Sequence, residues 1–228
     1  MIIITGASSG IGQFLLNKYL EENYDVIGIY NSTLPNIKLE NYYYKLDVRD
    51  YDSIRQFVVE KKEIFKNITL INCAGVNYNS FAHKSDVNLW KNVFDVNLFG
   101  TYNMIRNLLP LMREQNYGRI INLSSVVFKI PTPGVSAYAS SKSALIGLTK
   151  CIAAENALKG ITINNVDLGY MNIGMGINDV PLEFKEYVLD KIPCKKFGSE
   201  DDVFNTIQYV INTEYINGIS IDLSGGLV

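Results

Sequence analysis

Two residues of this chain could together move a proton. Tyr138-Ala139-Ser140-Ser141-Lys142 sets a phenol and an amine four residues apart, which on a helix places them on one face with about 5 to 6 Å between Cβ atoms. An ammonium so close favours the phenolate and draws a tyrosine pKa down from about 10, each unit being worth about 1.4 kcal/mol. Such a tyrosine can act as general acid to a carbonyl oxygen that receives hydride. The spacing alone is weak: 15 tyrosines and 16 lysines among 228 residues produce about one Y-x-x-x-K by chance, and the chain has two. The other is Tyr187-Val188-Leu189-Asp190-Lys191. Context separates them. Thirteen residues before Tyr138 stands Ser125, closing the apolar run Ile120-Ile121-Asn122-Leu123-Ser124-Ser125, whereas thirteen before Tyr187 stands Gly174. A strand-end hydroxyl can hold the same substrate oxygen as the phenol, so the first pair is the candidate site and the second reads as ordinary surface helix.

A second group of residues suits a nucleotide. The first strand runs directly into Thr5-Gly6-Ala7-Ser8-Ser9-Gly10-Ile11-Gly12 and then into a helix. Glycine is needed where backbone must approach a pyrophosphate, and the N–H groups and positive dipole end of the helix face that anion. The spacing G-x-x-x-G-x-G is also compatible with a turn that only reverses the chain. Asp47-Val48 follows a third strand and could meet an adenine edge, or Asp47 could cap the helix that starts near Tyr51. Asn72-Cys73-Ala74-Gly75 ends a fourth strand, where small residues permit close approach of a ring. Asn97 sits in the helical stretch Asp95-Val96-Asn97-Leu98, where asparagine has poor propensity; a buried helix break and a functional amide both account for it.

These residues need a scaffold, and the pattern supplies one. Ile2-Ile3-Ile4, Val26-Ile27-Gly28-Ile29, Ile68-Thr69-Leu70-Ile71, Arg119 to Leu123, Ile161-Thr162-Ile163-Asn164 and Ile219-Ser220-Ile221-Asp222 read as strands. Helix candidates lie between them at about 11 to 23, 51 to 65, 87 to 115 with a break near Asn97 to Gly100, 138 to 159 and 200 to 212. Strands without polar alternation, joined by helices, predict a parallel sheet covered on both faces: an α/β, doubly wound, three-layer α/β/α fold. No repeat, low-complexity linker or hinge divides the chain, so one domain over 1–228 is expected. The weakest pattern, Gly169 to Gly198, contains Gly174, Gly176, Pro181 and Pro193 and follows a strand end, where open α/β sheets bind ligands. It is the candidate substrate loop.

Composition narrows the chemistry. With 21 basic and 23 acidic residues the net charge is −2, which gives no basic field for a nucleic acid. Lys61-Lys62 and Lys195-Lys196 read as solvated surface. Cys73, Cys151 and Cys194 are far apart, and His83 is the single histidine, which argues against a disulfide framework, a metal site and histidine-based catalysis. Met1-Ile2-Ile3-Ile4 is too short for a signal-peptide core and no stretch approaches a membrane span. A reducing cytoplasm is the expected compartment.

Taken in order, Thr5-Gly6-x-x-x-Gly10-Ile11-Gly12, Asn72-Cys73-Ala74-Gly75, Asn97, Ser125, Tyr138-x-x-x-Lys142 and the terminal Asp222-Leu223-Ser224-Gly225-Gly226 resemble the short-chain dehydrogenase/reductase family over nearly the whole chain. The motif layout is similar to that of 3-oxoacyl-[acyl-carrier-protein] reductases. The resemblance implies a Rossmann-type domain, a nicotinamide cofactor and hydride transfer between it and a carbonyl or alcohol carbon. It implies that Tyr138 is the acid/base, that Ser125 fixes the substrate oxygen, that Lys142 lowers the Tyr138 pKa while binding the nicotinamide ribose, and that Asn97 holds a water of the proton relay. For the cofactor it implies the phosphate turn Thr5, Gly6, Ser8, Ser9, Gly10, Ile11 and Gly12, the end of the second strand at Tyr30, Asn31 and Ser32, Asp47 and Val48 at the adenine, Asn72, Ala74 and Gly75 beside the ribose, and Gly169 and Met171 near the nicotinamide.

Two departures stand out. The family usually has Pro-Gly-x-Ile-x-Thr after its sixth strand; here Leu168-Gly169-Tyr170-Met171-Asn172-Ile173 lacks both proline and threonine, with Asn172 or the backbone near Met171 as possible substitutes. At the end of the second strand, Tyr30-Asn31-Ser32 offers neither the acid that would select NAD nor, at Ser9 or Asn31, the base that often pairs with the NADP phosphate. Hydroxyl and amide donors tolerate a phosphate better than a carboxylate does, which favours NADP over NAD. The expected substrate is a small carbonyl or alcohol compound, with Val127, Phe128, Tyr170 and Met175 suggesting a partly aromatic pocket unless Phe128 is core. A homodimer or homotetramer is expected from the helices around 100 to 115 and 138 to 159. The competing readings are a non-catalytic NAD(P)-sensing regulator of the same fold, which would have no reason to keep Asn97, Ser125, Tyr138 and Lys142 together, and a sugar-modifying relative.

Overall fold

Three consecutive isoleucines begin the sheet and face two different layers. In the computed structural model, which describes residues 1–35, 37–175 and 182–228, β1 spans Ile2–Thr5 and every residue of it is buried. Ile3 packs into the core beneath one helical layer, with Leu70, Ile120, Met104, Leu108 and Ile152. Ile4 packs on the other face with Leu15, Leu16, Tyr19, Ile121 and Phe204. Side chains alternate across a strand, so a sheet covered on both sides needs apolar residues at every position. The absence of polar alternation has that cause.

The remaining elements are α1 (Gly10–Glu21), β2 (Val26–Tyr30), β3 (Tyr43–Lys45), α2 (Tyr51–Lys61), β4 (Thr69–Asn72), α3 (Val87–Phe94), a π-helical turn (Asp95–Gly100), α4 (Thr101–Gln115), β5 (Gly118–Ser125), α5 (Ser136–Asn156), β6 (Ile161–Leu168), α6 (Leu182–Lys191), α7 (Glu200–Asn212) and β7 (Ser220–Leu223). Among the described residues seven strands form one sheet in the order β3-β2-β1-β4-β5-β6-β7, and every pairing between them is parallel. Strand order reverses between β1 and β4, which opens a crevice at their carboxyl ends. This is the doubly wound Rossmann-type α/β/α architecture.

Local signals start the helices. Asp50 caps α2, accepting from the Ser53 N–H at 3.0 Å, Asp86 caps α3, and Ser199 with Asp202 forms a capping box on α7. The cap of α2 is therefore Asp50; Asp47, the alternative considered above, instead closes the preceding turn, accepting from Arg49 N–H.

Two expectations need correction, while the third strand expected before Asp47 is present but unmarked in sequence. The break anticipated near Asn97 to Gly100 is a π turn through which the helix continues. Gly100 permits it, since a Cβ there would lie 2.5 Å from Val48 Cγ2. β3 is only three residues, two of them tyrosines, and no β-branched run marks it. The segment 169–198, patternless in sequence, contains α6 and a bridge pairing Met171 with Gly198; Gly176 and Pro181 lie outside the described residues.

Candidate active site

The phosphate turn is built by close backbone approach. Gly6 has φ +65°, and a Cβ on it would lie 2.9 Å from Ala74 Cα; a Cβ on Gly12 would lie 2.3 Å from the Gly6 carbonyl oxygen. Only glycine fits either place. Thr5 is buried, and its Oγ1 accepts from the N–H groups of Cys73 and Ala74 at 3.1 and 3.0 Å, tying the ends of β1 and β4 together. Ser8 is buried in the turn. Ser9 is the N-cap residue of α1 but makes no side-chain bond to the first turn. The amides at the start of this helix are thus left for another acceptor.

Asn97 is fully buried in the π turn and its amide is saturated. Oδ1 accepts from Val76 N–H at 2.8 Å, and Nδ2 donates to the Val76 carbonyl at 3.0 Å and to Ser141 Oγ at 3.1 Å. It ties the segment after β4 to α5, and its own carbonyl accepts from Thr101 Oγ1. Asn97→Ala would strand the Val76 amide in the interior and is expected to cost about 3 kcal/mol. Scanning calorimetry should show Tm lower by roughly 6 to 12 °C.

Ser125 ends β5 and Tyr138 opens α5, and both wall a cleft of about 690 Å³. Ser125 Oγ donates to the Leu168 carbonyl at 3.3 Å and accepts from Val127 N–H at 3.2 Å. Apolar side chains dominate this cleft: Val126, Val127, Ile130, Val135, Tyr170, Met171, Ile173, Met175, Val188 and Leu227 contribute. A second cleft of about 270 Å³ adjoins it and is lined by Gly6, Ser9, Gly10, Ile11, Gly12, Cys73, Gly75, Lys142 and Gly174. Tyr138, Ser124, Leu168, Ile11 and Met175 belong to both walls. Tyr138 therefore stands where a flat ligand in the glycine-lined cleft would meet one in the apolar cleft.

Lys142 lies one turn along α5, its Nζ 5.7 Å from the centre of the Tyr138 ring and donating to the Leu123 carbonyl at 2.7 Å. Burial pushes its ammonium down to about 8, against the opposing pull of Asp167. Burial likewise pushes the Cys73 thiol up to about 12, so Cys73 is a neutral wall residue near neutral pH.

The other expected residues fall around these clefts with some differences. Asn72 turns away into a buried ladder across the sheet, Nδ2 donating to Asn122 Oδ1 at 2.9 Å. Asn122 Nδ2 in turn donates to Thr149 Oγ1 and Asn165 Oδ1. Gly169 and Met171 wall the apolar cleft, while Asn172 is exposed and walls neither cleft. Val48 is buried against Gly100. Tyr30 is half-buried with its ring edge-on to Tyr43, and Asn31 and Ser32 lie exposed beyond β2. Phe128 is neither core nor cleft wall; it is half-buried beneath the Lys129 ammonium. The second Tyr/Lys pair does lie on a helix, but Tyr187 and Lys191 reach the mouth of the apolar cleft, so that helix is more than surface.

Two charged groups escaped the sequence reading. Lys129 bridges Asp222 and the fully buried Asp167, at 3.2 Å from Asp167 Oδ2, and so anchors the cleft wall after β5 to β6 and β7. Burial raises the Asp167 carboxyl above its ordinary range. An acid near the end of the strand that begins Ile161-Thr162-Ile163 was the available signal. Arg49, with Asp47, is the second.

Comparison with known proteins agrees with this geometry. Residues 1–181 match the family model described as short chain dehydrogenase. The 3-oxoacyl-[acyl-carrier-protein] reductase FabG of Staphylococcus epidermidis is 32% identical, with 99% of this chain and 97% of the relative covered. Among solved structures, ElxO with NADP bound superposes with TM-score 0.89 at 26% identity, covering 99% of this chain and 97% of its own. The 3-oxoacyl-[acyl-carrier protein] reductase of Brucella melitensis gives TM-score 0.88 at 29% identity, covering 99% and 90%. Sheet order, glycine turn, paired clefts and these likenesses lead to one conclusion: the chain belongs to the short-chain dehydrogenase family, the NAD(P)-dependent oxidoreductases that act on C=O and CH–OH groups.

Proposed function

We propose that this protein is an NADPH-preferring ketone reductase of the 3-oxoacyl type, with Tyr138 as proton donor. The observation that carries the reading is the shared wall: Tyr138 borders a glycine-lined cleft and an apolar cleft at once. The residues fit a dinucleotide. A Cβ at Gly75 would come within 3.4 Å of Asn97 Oδ1 and 3.7 Å of Lys142 Nζ, so bare backbone there leaves room for a ribose and nicotinamide ring. The uncapped start of α1 suits a pyrophosphate. NADPH is favoured because no acid stands in β2 or just beyond it, and the related ElxO binds NADP.

The bound cofactor supplies a hydride to the carbonyl carbon. Tyr138 donates its phenolic proton to the carbonyl oxygen, and the Ser125 hydroxyl donates a hydrogen bond to the same oxygen, holding it at the phenol. Lys142 stabilises the resulting phenolate through its nearby positive charge, and its ammonium protons would hold the nicotinamide ribose of a bound cofactor. Asn97 keeps α5 and the segment after β4 in register, and the resemblance gives it a water of the relay. The apolar cleft takes an aliphatic chain, with Tyr187 and Lys191 at its mouth; Gly169, Tyr170, Met171, Ile173, Met175 and Val188 form its substrate-selective side, within one domain spanning 1–228.

The finer setting follows from the same reading. Phe99 and Tyr102 are exposed where the π turn meets α4, which supports association through this surface into a homodimer or homotetramer, to be checked by light scattering. The three thiols are free, consistent with a reducing cytoplasm. The deciding experiment follows nicotinamide absorbance with NADPH and NADH against 3-oxoacyl thioesters, small ketones and sugar-derived ketones. The expected result is a kcat/KM at least tenfold higher with NADPH, roughly 1.4 kcal/mol, and highest on a 3-oxoacyl thioester. Equal use of NADH, or turnover confined to sugars, would refute it.

A further inference from the structure

A row of polar side chains lies beneath the start of α5. β5, β6 and β7 pair with Ser124 opposite Asp167 and Asp167 opposite Asp222, so the three share one face of the sheet on strands about 5 Å apart. α5 covers that face: Ser124 Oγ donates to the Lys142 carbonyl at 3.4 Å, and Asn165 Oδ1, two residues before Asp167, accepts from Thr149 Oγ1 at 2.7 Å. The Lys142 ammonium is tied to the same place, donating to the carbonyl of Leu123 beside Ser124. Ser124, Lys142 and Asp167 are all buried, Asp167 completely. An ammonium and a carboxylate thus share one water-poor layer over adjoining strands.

A buried carboxylate is costly unless it is paired, and Lys129 pairs this one. Lys129 Nζ lies 3.2 Å from Asp167 Oδ2 and also meets Asp222. Burial and the Asp222 carboxylate oppose ionisation of Asp167, while the Lys129 ammonium and the Ser124 hydroxyl favour it. Around Lys142 stand Tyr138 on its own helix, Cys73 just after β4, and Asp167. The Cys73 thiol, pushed up to about 12 by burial, is neutral near neutral pH. Among the described groups facing Lys142, Asp167 is therefore the anion in that range.

We infer that Asp167 is a positioning residue acting through Lys142: its carboxylate, clamped by Lys129 from the loop after β5, keeps that buried ammonium charged. The use of the charge in catalysis rests on the reductase reading above; the linkage between the two groups does not. Attraction of this kind is strong where water is scarce. A carboxylate about 10 Å from an ammonium, at an effective dielectric of about 20, raises its proton affinity roughly tenfold.

The test titrates Lys142 directly, by NMR of protein labelled with carbon-13 lysine, its Cε signal assigned by its loss in Lys142→Met. The kcat/KM for NADPH is followed in parallel over the same pH range. Wild-type Lys142 is expected to titrate near 8. Asp167→Asn should move that midpoint down by about one unit and make the loss of kcat/KM at about pH 9 roughly ten times greater than at about pH 6. Asp222→Asn is the contrast: it takes the other partner from Lys129 and keeps every group that faces Lys142, so the midpoint should stay in place. If Asp167→Asn does not fold, Asp167→Ala with Lys129→Met removes the ion pair without stranding a buried charge. It should shift the midpoint the same way, because Lys129 is not among the groups acting on Lys142. A midpoint unmoved by loss of the Asp167 carboxylate overturns the inference, and so does an equal shift in Asp222→Asn, which would make the row only an anchor. A shifted midpoint in a protein that reduces no ketone at any pH supports the linkage and overturns the reductase reading alone.

Discussion

Tyr138→Phe is expected to lower kcat for ketone reduction by about a thousandfold, within the usual range for removal of a positioned general acid. The change deletes one oxygen and keeps the ring, so the wall shared by the two clefts survives and NADPH binding, followed by its fluorescence, should stay close to wild type. The Lys142 ammonium, 5.7 Å from the ring centre, would then lie near a phenyl group with no proton to give. Tyr187 supplies the contrast. It lies at the cleft mouth rather than beside the glycine-lined cleft, so Tyr187→Phe should act on KM for long substrates and leave the pH profile alone. A Tyr138→Phe enzyme within tenfold of wild type in kcat would show that the proton comes from elsewhere.

Lys142→Met is expected to be at least as damaging, about a thousand- to ten-thousandfold in kcat/KM, because the proposed mechanism gives one side chain both the phenolate and the ribose. Wild-type pH dependence carries the signature of the same residue. Burial holds the Lys142 ammonium at about 8, below its ordinary 10.5. The active form is the charged one, so activity is present below about pH 8 and lost above it. Measured against NADPH at saturating ketone, kcat/KM should be level on the acid side and fall tenfold per unit beyond about 8, since this parameter follows the cofactor-free enzyme. Stability runs in the opposite sense. Between about 8 and 10.5 the unfolded chain keeps the proton that the folded chain has released, so this group's contribution to stability rises with pH across that window. Lys142→Met should abolish this rise, seen as a flatter dependence of Tm on pH. A wild-type profile without a limb near 8 would mean that substrate-free Lys142 is solvated.

The two clefts also explain which parts of the site could be read from the chain. The glycine turn was legible because it is contiguous: one helix start, with backbone approach at Gly6 and Gly12 that any side chain would block. Tyr138 and Lys142 were legible because four residues on a helix are one turn, and Ser125 because it closes an apolar strand. Asn97 was marked by its poor propensity, yet its partners, Val76 and Ser141, lie 21 and 44 residues away. Nothing local showed that its amide would be saturated by them.

Contacts between segments made the rest. β3 forms from Tyr43–Lys45 because β2 offers an open edge beside it, and Tyr43 finds a partner for its hydroxyl in the Ala7 carbonyl at 3.0 Å. Lys129, Asp167 and Asp222 come from three separate segments and meet only when β6 and β7 pair in register. Asp47 and Arg49 are near neighbours in the chain, but Asn31 reaches Asp47 from just beyond β2. Tyr187 and Lys191 looked like surface until α6 folded back over the cleft.

The order of short apolar runs and helices, the glycine turn and the Tyr/Lys spacing were thus determined by sequence alone, because each depends on residues close together in the chain, and Ser125 was found because it closes a strand shortly before them. They specify the layered sheet, a glycine-lined cleft and a Tyr138/Lys142 pair on its wall. Tertiary structure decided how the charges are disposed around that machinery: which lysine is stripped of water, which aspartate is neutralised and which helix closes the substrate side. Burial and long-range pairing set those energies, and neither is a property of neighbouring residues in the chain.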